Sequence, residues 1–174
     1  MKRRRKNKDI LFLCVILLLV GSLFYQGYQM FKPNEEKMNA SQMLFEVADF
    51  QMEILNSSLM EAVHMNATEQ LAGLKLAAYA ANFGHERMVK AFGKNELKAL
   101  PAISELVNMI TSWQIGGERP LTQKERDYLV EFSTKFAEVL PIYSLLVNSS
   151  NQIVSTKSNQ LNQLGKQLDE LIVK

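Results

Sequence analysis

Residues 43–63 read MLFEVADFQMEILNSSLMEAV, and this stretch decides the fold class. Phe45, Ala48, Met52, Leu55, Leu59 and Ala62 or Val63 recur at spacings of three and four, which places them on one side of an α-helix. Between them Met43, Val47, Phe50 and Ile54 form a second apolar row on a face well away from the first. Glu46, Asp49 and Glu53 occupy a third, solvated flank. A peripheral helix needs only one apolar stripe. The pattern therefore favours a central helix covered on two sides, the other possibility being an exposed recognition surface to which methionine lends adaptability.

The same period organises the remaining chain. From about Ala67 to Phe92 the stripe is Leu71, Leu74, Ala78, Ala81, His85, Met88 and Phe92, and a third segment carries Leu100, Ile103, Val107 and Ile110. The fourth has Leu129, Phe132, Phe136, Val139, Tyr143 and Leu146, and the last has Val154, Leu161, Leu164, Leu168 and Leu171. Residues 152–156 alone tempt a strand assignment. Asn66 with Glu69 and Thr122 with Glu125 have capping-box spacing. Gly93, Gly116-Gly117 and Asn148-Ser149-Ser150 supply stops. Pro101 suits a first helical turn, and Pro141 is expected to kink the fourth helix. The alanine-rich run from Leu76 to Ala81 would let a neighbouring helix approach closely. These signals predict an all-α chain with an elongated up-and-down four- to five-helix bundle over residues 33–174.

The front of the chain reads differently. Lys2, Arg3, Arg4, Arg5, Lys6 and Lys8 against Asp9 put +5 in the first nine residues of a 174-residue chain whose net charge is only +2. Residues 10–31 are almost wholly apolar, and their length matches the roughly 20 helical residues that span a bilayer. Phe24, Tyr25, Tyr28 and Phe31 cluster at the far end as aromatics do at a membrane boundary. The expectation is a transmembrane anchor helix with the basic stub 1–9 cytoplasmic and the bundle beyond the membrane, in contact with the lipid bilayer and a membrane or envelope protein. Val20-Gly21-Ser22 leaves open a cleaved signal peptide. No basic stripe with interleaved aromatics follows, so no nucleic-acid partner is expected. With Cys14 in the apolar segment, the bundle cannot form a disulfide.

Chemistry is sparse. Glu61 and His64 have the spacing of one half of a di-iron site, but a second pair and two more glutamates are missing, so no metal or cofactor is expected. His85 falls on a core stripe, where a buried histidine with a hydrogen-bond partner is the expected role and a pH-sensing imidazole the alternative. Neither a nucleophile elbow nor a phosphate loop is present, and no enzyme is expected. The segment from Trp113 to Pro120 joins an aromatic, a glycine pair and Arg119. It reads as a helix stop with Trp113 capping the core, although Trp113 and Arg119 are also the residue types that anchor interfaces. Residues 158–174 could pack in the bundle or join a homo-oligomer. The functional expectation is an anchored, non-catalytic scaffold or accessory subunit at the cell envelope. The alternative is a ligand-sensing ectodomain, similar in architecture only to the input domains of chemoreceptors.

Overall fold

The computed structural model describes residues 35–172, apart from the side chains of 35–39, together with residues 18, 20–22 and 25. The chain divides into two units, Met1–Glu36 and Lys37–Lys174. In the first, Leu18, Val20, Gly21, Ser22 and Tyr25 are helical. The second is built from α1 (Glu35–Ala62), a 3-10 turn (Thr68–Leu71), α2 (Ala72–Phe92), α3 (Pro101–Gln114), α4 (Gln123–Ala137), α5 (Leu140–Tyr143) and α6 (Ser155–Ile172). Isolated bridges pair Ala67 with Pro120 and Val147 with Ile153.

The core is made by the periodic residues. Ala48, Met52, Leu55, Leu59 and Ala62 of α1 are buried, as are Leu74, Ala78, Ala81, His85 and Met88 of α2. Leu129, Phe132 and Phe136 of α4 continue the core through Val139, Tyr143 and Leu146. Helix α3 lies against α2 and α6, and α6 also packs on α4 and α5. Helices α1 and α2 run antiparallel and meet at Gly84, where an added Cβ would collide with Gln51 Oε1 and stand 3.4 Å from the Ala48 Cα. Phe45 stacks on Tyr143 at 6.4 Å, which carries α1 onto α5.

Local chemistry sets the boundaries. Thr122 Oγ1 accepts from the Glu125 N–H at 3.3 Å while Glu125 Oε2 accepts from the Thr122 N–H at 2.8 Å, closing the capping box. At the other predicted cap Gln70, not Glu69, reaches back: its Oε1 accepts from the N–H groups of Asn66 and Ala67. The tighter 3-10 turn there shifts which side chain comes opposite the chain entry. Gly93 ends α2 with φ 96°. Pro101 stands in the first turn of α3 as expected. Pro141 does not kink one long helix. The chain leaves α4 at Ala137 and restarts at Leu140, so the proline sits in a first turn, where its missing N–H costs nothing.

Three larger expectations are corrected. Among the described residues no helix is long and apolar enough to cross a membrane. Helix α1 has the length, with 28 residues, but Glu46, Asp49, Glu53 and Glu61 interrupt it. Residues 10–31 lie almost wholly outside the described residues, and so do Lys2, Arg3, Arg4, Arg5, Lys6 and Lys8. What stands is an all-α helical domain, and the anchor, the bilayer contact, the cytoplasmic N-terminus and the envelope placement fall with the spanning helix. Next, residues 158–174 are not an oligomerisation seam: Ser158, Leu161, Gly165 and Leu168 are buried within the domain and the Ser158 hydroxyl donates to the Glu96 carbonyl at 2.5 Å. Finally, the second row of α1 is not covered. Met43, Val47, Phe50 and Ile54 are all exposed, because α2, α5 and the core take only the opposite half of the helix.

Gly84→Leu forces the α1–α2 contact apart and is expected to lower the unfolding free energy by about 1–3 kcal/mol in urea titration. Gly73→Ala, where an added Cβ meets nothing within 4 Å, should instead raise it by about 0.5 kcal/mol.

Candidate functional site

The outward row of α1 has a counterpart on α2. At about 100° per residue, Met43, Val47, Phe50 and Ile54 lie roughly 100° around α1 from the Ala48–Gln51 contact line. Leu76, Tyr79 and Phe83 stand in the same relation to Gly84 on α2. Because the helices are antiparallel and share one core side, both rows turn to the same outer side. The seven side chains are between 41 % and 70 % exposed. Ala80 lies between the rows, and Arg87 places its guanidinium carbon 4.5 Å from the Phe83 ring centre. The result is one apolar face on two closely approached helices.

Sequence reasoning identified only the α1 half. Leu76 and Tyr79 were hidden in the alanine-rich run, whose Ala77, Ala78 and Ala81 do turn inward against neighbours. The signal that finds them is the three-then-four spacing of Leu76, Tyr79 and Phe83, offset from the core stripe of the same helix.

Trp113 and Arg119 stand at a different place and are engaged within the chain. Trp113 meets Tyr128 edge-on at 5.9 Å and packs half-buried on the core. Arg119 Nη2 and Nη1 donate to Glu125 Oε1 and Oε2 at 2.6 and 2.9 Å, and Nη1 also donates to the Pro120 carbonyl. The glycine pair takes positive φ, 100° and 98°, which suits residues without a side chain. The loop is then stitched to the 3-10 turn. The Thr68 N–H donates to the Arg119 carbonyl, the Leu121 N–H to the Asn66 carbonyl, and Gln114 Nε2 to the Thr68 carbonyl. Beside it, Trp113, Tyr128, Met109, Leu171 and Ile172 line an open cleft of about 330 Å³. Burial pushes the Tyr128 phenol up, and its OH has no hydrogen-bond partner among the described residues. The Arg119 hydrogen bond holds the Glu125 carboxyl at about 2, well below the usual carboxylate range.

His85 is fully enclosed. Its Nε2–H donates to the Lys98 carbonyl at 2.8 Å, and a neutral ring then leaves Nδ1 to accept from the Tyr143 OH at 3.1 Å. Burial pushes the imidazole down to about 4, against the opposing pull of the Lys98 carbonyl and Glu86. His64 is exposed just beyond α1, and among the described residues no cluster of three or more His, Cys, Asp or Glu side chains could hold a metal ion.

Two pH windows follow. His85 titrates near 6.5 when unfolded and about 4 when folded, so its neutral form contributes fully above pH 6.5 and that contribution is lost as pH falls toward 4, by about 3 kcal/mol. Glu125, depressed from 4.5 to about 2, loses its contribution as pH falls through that lower range. Unfolding titrations across pH should show the first slope in the wild type and its absence in His85→Leu, with the Glu125 slope retained.

Compared with protein-family models, with curated proteins and with solved structures, the chain gives no significant match.

Proposed function

We propose that the helical domain acts by binding rather than by catalysis, and that the paired outer rows of α1 and α2 are its protein-contacting surface. One observation carries this reading: two helices that each bury a complete apolar stripe also present a second one, on a shared side, to solvent. Scattered exposed apolar side chains are ordinary, but a contiguous face of this size marks an interaction site. Its composition supports a protein as occupant, since Phe, Tyr and Met are enriched in interface cores. The face is also set on rigid elements, with α1 held to α2 by the Gly84 approach and to α5 by the Phe45–Tyr143 stack. Trp113 and Arg119 are not assigned to this surface, because Tyr128 and Glu125 already engage them.

The test is site-specific photocrosslinking of the full chain in the cells that produce it. A benzophenone side chain at Tyr79 should yield a defined protein adduct, and the same group at Glu131 on α4 should yield none. Val47→Asp and Phe50→Asp should abolish the adduct while changing unfolding free energy by no more than about 0.5 kcal/mol, as expected of exposed positions. No adduct at Tyr79, or an adduct indifferent to both aspartates, rejects the proposal.

A further inference from the structure

We infer that the occupant of the α1–α2 face is a second copy of this chain, stacked antiparallel about a two-fold axis perpendicular to the two helices. The inference rests on the interaction-surface reading above and names its partner.

Size is the first support. Seven large apolar side chains, each about half exposed, present on the order of 700 Å², close to the roughly 800 Å² that each partner contributes to a standard interface. It also exceeds the roughly 300–600 Å² of the largest patch on a typical monomer. A single two-helix face of this width, laid on its own copy, forms a four-helix layer in which both apolar faces are covered at once. Self-association through one patch is closed by a two-fold, the commonest symmetry of soluble oligomers.

Charge supplies the orientation. Each heptad series ends on an exposed ionic residue: Val47, Ile54 and Glu61 on α1, and Leu76, Phe83 and Lys90 on α2. Arg87, lying over Phe83, adds a second cation at the Lys90 end, where Glu86, which accepts from Asn82 at 3.2 Å, offsets one of the two and leaves that end with a net positive charge. Because the helices run antiparallel, Glu61 and Lys90 mark opposite ends of the face. Glu46 and Glu53 lie off it on the outer flank of α1, where Glu46 accepts from Gln42 at 3.0 Å. An axis parallel to the helices would set cations on cations and acid on acid. An axis perpendicular to them brings the Glu61 end over the Arg87–Lys90 end, twice in each dimer. The heptad rows then meet knob against hole, as antiparallel helices do at shallow angles.

Sedimentation equilibrium of the purified full chain should give a dimer, and Phe50→Asp with Phe83→Asp a folded monomer, checked by circular dichroism. Glu61→Lys should weaken dimerisation about tenfold, since the pair occurs twice and an exposed pair is worth up to about 1 kcal/mol. Arg87→Glu with Lys90→Glu should weaken it similarly, and combining the three changes should restore it to within about threefold of wild type. A monomeric wild type, a dimer unaffected by the two aspartates, or a charge-swapped variant no better than its parents each overturns the inference. If the chain is monomeric but the Tyr79 crosslinker captures a different protein, the second copy is rejected while the interaction-surface reading stands. Absence of any adduct rejects both.

Discussion

The close approach of α1 and α2 at Gly84 is the contact on which the rest of the arrangement depends. At that position an added Cβ would meet the movable end of Gln51 and stand 3.4 Å from the Ala48 Cα, so the two helices share a flank. That shared flank fixes their relative rotation, and rotation determines which stripe faces the core and which faces out. The glycine acts here through space, since its φ is helical and its conformational freedom is not used.

The interior is organised around one buried polar contact. His85 on α2 joins the Lys98 carbonyl before α3 to the Tyr143 hydroxyl at the end of α5. Tyr143 in turn lies against Phe45 of α1. Four segments therefore converge on a neutral imidazole that must carry its proton on Nε2, because a carbonyl can only accept. A buried polar group in such a position is costly when partly satisfied and specifying when fully paired. Here both ring nitrogens are paired, and the alternative packings that would leave one of them open are disfavoured.

Core composition was legible in the sequence because helical period separates faces without reference to neighbours. Met52, Leu55, Leu59, Ile103, Phe132, Phe136 and Leu168 all lie inside, as their spacing implied. Period does not say which of two apolar faces on α1 receives a neighbour. The sequence pattern favoured covering both, whereas the short α5 and the break at Leu140 leave too few long helices to do so. Pro141 shows the same limit: its cost inside a helix is clear from the sequence, but not that the chain leaves α4 at Ala137 and restarts at Leu140 instead of bending. Trp113, which the sequence leaves between a core cap and an interface anchor, rests half-buried on the core against Tyr128. The anchored reading rests on the apolar run 10–31, almost wholly outside the described residues, among which no helix is long and apolar enough to cross a membrane.

Glu125 holds the guanidinium of Arg119 with both carboxylate oxygens, and Oε2 also accepts from the Thr122 N–H at the start of α4. Release of the 115–121 loop thus removes a ligand from the helix start, and fraying of the helix start frees the loop. One carboxylate ties the loop that carries the glycine pair to the start of α4, and a change that removes it loosens both.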